Sequence, residues 1–99
     1  MNTALIWDET KRQANREKHG LDFADAVLVL ESQYRLDLPA ERHDEQRLQC
    51  FAYVFELLMV LSVVVVPGQD VQRVVSFRPA KRSEREVYHE WLAQEFDEF

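Results

Sequence analysis

Residues 57–66 constrain the fold more than any other stretch. The run is apolar apart from Ser62, and Val63, Val64, Val65 and Val66 leave it no polar face. An apolar, β-branched run of this length reads as a strand at the centre of a sheet, covered on both sides. It is too short to cross a bilayer as a helix. Its neighbours complete a set of hairpins. Residues 47–55 read as a long strand joined tightly to it near Phe55 and Glu56, and Pro67-Gly68-Gln69-Asp70 is a turn by composition. Residues 71–78 form the next strand, stopped by Pro79. The core of this sheet is expected to include Phe51, Tyr53, Val63, Val65 and Val75.

Upstream, residues 4–7 make a short apolar run that reads as an edge strand. Asp8 then offers a helix N-cap, Glu9 suits the dipole of the first turn, and Gly20 lies just past a helix end at His19. This first helix is almost wholly polar, so its neighbours must hold it in place. His19 is assigned to capping its C-terminus, ahead of a catalytic role. Asp22 opens a second helix whose core face is Phe23, Ala26, Val27 and Leu30. Residues 34–38 read as a strand ended by Pro39, and residues 40–45 as a polar loop. After Pro79, Val87, Tyr88, Trp91, Leu92 and Phe96 recur at helical spacing. That helix starts at Lys81 or, through a capping box from Ser83 to Glu86, slightly later. The order of elements predicts one α+β domain over residues 1–99. Its antiparallel sheet of four to five strands is backed by two N-terminal helices and a C-terminal helix.

A net charge of −6 argues against a general nucleic-acid coat. The distribution is more informative: Arg73, Arg78, Lys81, Arg82 and Arg85 cluster against Glu84 alone. A strand end meeting a helix start amid that charge suits a phosphate. The lone Cys50 excludes an internal disulfide and a thiolate metal cluster, and reads as a buried structural residue. Three scattered histidines without His-x-x-His spacing give no support to a metal hydrolase, so neither metal nor cofactor is expected. Without a signal-peptide pattern or a membrane span, a cytoplasmic protein is expected.

Three separated motifs resemble one family. Trp7-Asp8-Glu9, Lys11, Asn15, Lys18-His19-Gly20-Leu21 and Phe23 resemble the opening signature of BrnT-type toxins. The segment Arg42-His43-Asp44-Glu45-Gln46-Arg47 resembles that family's His-x-Glu-x-Arg segment. Val75-Ser76-Phe77-Arg78-Pro79-Ala80, followed by Glu84-Arg85 and Tyr88, is similar to its closing signature. The likeness spans residues 5–92 in matching order. Two departures stand out: residues 51–58 are more apolar than the family pattern, and Lys81 occupies a position where Ser or Thr is common.

The resemblance implies a RelE-like fold and a metal-independent endoribonuclease that cleaves RNA and inhibits translation. It also implies a cognate ribbon-helix-helix antitoxin in a 2:2 heterotetramer that reaches operator DNA only through the antitoxin. In such chemistry the RNA 2′-hydroxyl attacks its own neighbouring phosphorus, and the protein supplies proton transfer and charge stabilisation. A guanidinium fork suits the second task. Arg78 and Arg85 are the leading phosphate contacts. Arg73, Lys81 and Arg82 follow, and Lys11 extends the cationic surface. Tyr88 and His43 are candidates for proton transfer, with His89 on the exposed side of its helix. The competing reading is a catalytically inactive module that binds its antitoxin and regulates its operon. An active nuclease converges its guanidiniums on one concave surface, whereas such a module splays them into separate salt bridges.

Overall fold

A computed structural model of the chain describes residues 4–96. The strands are β1 (Ala4–Ile6), β2 (Leu36–Arg42), β3 (Glu45–Val54), β4 (Met59–Pro67) and β5 (Val71–Pro79). The helices are α1 (Glu9–His19), α2 (Val27–Leu30), which continues a 3-10 turn at Phe23–Ala26, and α3 (Arg82–Glu95). The five strands form one sheet in the order β1-β5-β4-β3-β2. The architecture is α+β as expected, but the sheet is mixed rather than purely antiparallel, because β1 runs parallel to β5 with Ala4 opposite Val71 and Ile6 opposite Arg73. A strand that leads into α1 before the hairpins begin meets the last strand in the same direction. Periodicity within β1 carries no information about that pairing.

The central position of β4 agrees with its apolar run: it sits between β3 and β5, and Leu61, Val63 and Val65 are fully buried. On one face these side chains, with Cys50, Ala52, Val74 and Phe77, pack under Phe23, Ala26 and Val29. On the other, Leu36, Phe51 and Val60 pack under Tyr88, with Trp91 and Leu92 beside them. Burial pushes the Cys50 thiol up to about 12. Val75 is only half-buried and Val74 takes the core position, because the β4–β5 register shifts by a bulge at Val64 and Val65.

Several strand boundaries differ from the sequence reading. β2 passes through Pro39 and continues to Arg42, so the expected polar loop is mostly strand. As an edge strand, β2 has a ladder on one side only, and that position tolerates a proline. The hairpin that follows turns on His43 (φ 54°) and Asp44 (φ 61°), two residue types that enter the left-handed region more readily than most. The β3–β4 hairpin turns over Phe55, Glu56, Leu57 and Leu58, so β4 starts at Met59.

α1 is held as its polarity demands. Asp8 accepts a hydrogen bond from the Lys11 backbone nitrogen, and Gly20 closes the helix with φ 71°. The Asn15 side chain donates to the Phe77 carbonyl at 2.8 Å and accepts from the Phe77 nitrogen at 3.2 Å. It thereby imitates a neighbouring strand along β5, beyond the reach of the short β1. Arg12 grips Asp22 through Nε and Nη2, at 2.8 and 2.9 Å, which holds the Asp22 carboxyl well below the usual carboxylate range. Much of the N-terminal signature is therefore structural.

Candidate functional site

α3 begins after Lys81, not at Ser83. Lysine offers no acceptor, so only half of a capping box forms: the Glu84 carboxylate accepts from the Lys81 backbone nitrogen at 2.7 Å. Glu84 thereby lies at the foot of α3, over the sheet. Helix α3 covers only one half of that sheet face. Alternation and register place Gln49, Val64, Ser76, Arg78, Val66 and Arg73 on the other half, where all are half-buried. Glu45 and Arg47 follow on the same side of β3.

Two ion-pair groups occupy this open half. In the first, Arg78 donates from Nη1 and Nη2 to the two Glu84 oxygens at 2.8 and 2.9 Å, and from Nη1 to the Pro79 carbonyl at 3.1 Å. Gln49 Nε2 contacts Ser62 Oγ at 3.1 Å and Glu84 at 3.2 Å. Hydrogen bonding from Arg78 lowers the Glu84 carboxyl to about 2. In the second, Glu45 joins Arg47 (3.0 Å) to Arg73 (2.7 Å) across the sheet. Three of the five guanidinium N–H groups of Arg78 are engaged. Nε and the second Nη2 hydrogen have no partner among the described residues. They form one edge of the fork, with the spacing that a phosphate accepts.

The sequence candidates are only partly brought together. Arg73 and Arg78 share the open half. Lys81 and Arg82 are exposed at the start of α3, where Arg82 pairs with Glu86 on the surface. Arg85 donates to the Ala80 carbonyl and lines a separate groove with Leu58, Met59 and His89. Tyr88 is fully buried. Its hydroxyl donates to the Tyr34 carbonyl at 2.8 Å and accepts from the Tyr53 nitrogen at 3.1 Å, and burial raises its pKa. His43 sits exposed at the far hairpin tip, and Lys11 is exposed on α1. Arg47 and Gln49 were not singled out from sequence, although two-residue alternation along β3 puts both on the face of Arg78. His19 ends α1 close enough to Arg78 to feel its charge. Burial first, then Lys18 and Arg78, hold its pKa below the usual histidine value.

Among the described residues, no three His, Cys, Asp or Glu side chains converge to hold a metal ion. No described helix is long and apolar enough to cross a membrane. What the fold and its open face define is a small α+β domain presenting arginines on a half-covered sheet. The family described as the BrnT ribonuclease toxin of type II toxin–antitoxin systems matches residues 7–84. The chain belongs to that family, and an antitoxin partner follows from the membership. No curated protein matches the chain.

Proposed function

We propose that this toxin is an endoribonuclease whose substrate lies on the open half of the sheet. The observation that carries the proposal is the free edge of Arg78, a half-buried guanidinium fixed by Glu84 and Pro79 and turned toward a shallow polar face. In the proposed reaction the 2′-hydroxyl attacks the adjacent phosphorus and the bond to the 5′ oxygen breaks. A cyclic phosphate and a 5′-hydroxyl result, so the nucleophile comes from the RNA itself. Arg78 meets the charge that develops on the phosphoryl oxygens. Arg73 and Arg47 hold the flanking backbone about 15 Å further along the strands. Tyr88 is committed to the core, and Glu84 is too acidic to be an effective base near neutrality. His19, whose pKa burial and then the charges of Lys18 and Arg78 lower, takes the proton-transfer role in this scheme. Lys81, Arg82, His43 and Lys11 serve as peripheral contacts, whereas Arg85 lines the groove on the other side of α3 and takes no part in this scheme.

The rest of the reading is a RelE-like fold, inhibition of translation without a metal, and residence in the cytoplasm. Its partner is a ribbon-helix-helix antitoxin, assembled two to two and carrying the pair to operator DNA. The test is induced expression with and without the neighbouring open reading frame, with RNA integrity and growth measured. RNA loss only in the absence of that frame supports the proposal. Intact RNA and normal growth at high expression contradict it.

A second reading is favoured by one observation: Arg12, Arg35, Arg47, Arg73 and Arg78 each have a carboxylate partner. Guanidiniums so neutralised suit an interaction module that binds its antitoxin without cleaving RNA. The same expression experiment separates the two.

A further inference from the structure

The β3–β4 hairpin turn is built against the usual rules. Phe55 is 69 % exposed and Leu58 is 75 % exposed, with Leu57 and Met59 also exposed beside them. Leu58 adopts φ 56°, a conformation that favours glycine or asparagine and costs a branched apolar side chain. The positive φ serves the turn, as it does at His43 and Asp44, but the fold requires neither a leucine at that position nor an apolar turn, because polar residues close the β2–β3 hairpin. Retaining both strain and exposed apolar surface points to a use outside the fold.

Grooves run along both sides of this turn. One, of about 550 Å³, is lined by Tyr34, Tyr53, Phe55, Leu92 and Phe96. It continues through shared residues toward Glu31 and Glu56 on one side. On the other it reaches Leu58, Met59 and Arg85. β2 covers β3 only as far as Phe51, and beyond it the Tyr53 nitrogen already donates to the Tyr88 hydroxyl, so the groove offers chiefly side chains to a partner. Recognition there is by packing of side chains, the mode in which an amphipathic helix lies in a groove. The two ends differ in sign, with carboxylates at Glu31 and Glu56 and a guanidinium at Arg85. A helix laid with its N-terminal, cation-bearing end at Glu31 and Glu56 matches both ends. A second copy of this chain is a poor occupant, since each copy carries −6.

We infer that the apolar β3–β4 turn and its flanking grooves are the docking site for an amphipathic helix of the antitoxin. That helix has an apolar face and lysine or arginine near the end that meets Glu31 and Glu56. The inference rests on the toxin–antitoxin reading, but not on nuclease activity. The site lies on the far side of α3 from Arg78, so the antitoxin helix need not fill the RNA face itself.

The test uses the product of the neighbouring open reading frame, co-produced with the full chain. Binding is measured by calorimetry, folding by thermal melting and self-association by light scattering. Phe55→Ser/Leu58→Ser should melt near the wild-type temperature yet bind at least about 30-fold more weakly, as loss of central apolar anchors does. Glu56→Lys should weaken binding less and flatten its salt dependence. A folded double variant that binds as tightly as wild type overturns the docking site and leaves the toxin reading standing. Loss of self-association with partner binding unchanged overturns it in favour of a second copy. If the wild-type chain does not bind that product at all, the docking site and the antitoxin pairing fail together.

Discussion

The two halves of the sheet face that carries α3 are made by the same strands and differ in what lies over them. Under the helix, Phe51, Val60 and Leu36 meet Tyr88, and the hydroxyl of Tyr88 is spent on the Tyr34 carbonyl and the Tyr53 nitrogen. Beyond the foot of the helix the same alternation presents Gln49, Ser76, Arg78, Arg47 and Arg73. Glu84 marks the border: it caps the helix through the Lys81 nitrogen and holds Arg78 by two hydrogen bonds. One half uses its polar groups to close the core. The other keeps a guanidinium edge available. A single carboxylate couples the stability of the first to the geometry of the second.

The largest expected effect lies in the covered half. Tyr88→Ala removes a fully buried ring and strands the two backbone groups it satisfies. A loss of about 3–5 kcal/mol is expected, measured by urea unfolding. A loss below about 1 kcal/mol would show that α3 does not close this core.

The border residue should give a smaller, pH-dependent effect. Glu84→Ala leaves Arg78 without its partner and is expected to cost about 1–3 kcal/mol at pH 7. The folded carboxyl, at about 2, lies below its ordinary value of 4.5. Its contribution is therefore present above about pH 4.5 and is lost as pH falls toward 2. Glu84→Gln should melt with a shallower decline across that window than wild type. Asp22, lowered by Arg12, contributes in the same direction and remains in the variant. Parallel declines in the two proteins would uncouple Glu84 from stability.

In the open half, Arg73→Ala should change the melting temperature by no more than about 2 °C, because its pair with Glu45 is partly solvated. The same variant should bind RNA more weakly and reduce the salt slope of binding by about 1, measured by fluorescence anisotropy. An unchanged slope would remove Arg73 from the RNA face.

Much of this division was legible in the sequence. The apolar run placed β4 at the centre, Pro79 marked the end of β5, and the helical spacing of Tyr88, Trp91 and Leu92 gave α3 its packing face. The cluster of cations between residues 73 and 85 located the region of the candidate site but mixed two surfaces. Arg85 points to the other side of α3 because helical rotation, not sequence distance, decides which face a side chain reaches. Trp91 and Leu92 pack onto the second core, and Phe96 stacks edgewise on Tyr34. The parallel β1–β5 pairing and the bulge that exchanges Val75 for Val74 depend on register. Alternation gives the face of Arg47 once β3 is placed, but pairing partners and bulges depend on how two strands meet, which the pattern within one strand does not show.

The most direct test of the open half is RNA cleavage by Arg78→Ala and Arg78→Lys, with melting measured on the same preparations. A fixed guanidinium aimed at developing phosphate charge is worth roughly 3–4 kcal/mol in the transition state. Arg78→Ala should therefore lose at least about a hundredfold in rate while remaining folded, with a melting loss no larger than that of Glu84→Ala. Arg78→Lys should keep the charge near Glu84 and recover little activity, because an ammonium lacks the two-pronged edge. Wild-type cleavage by a folded Arg78→Ala protein would contradict the assignment of this face to RNA.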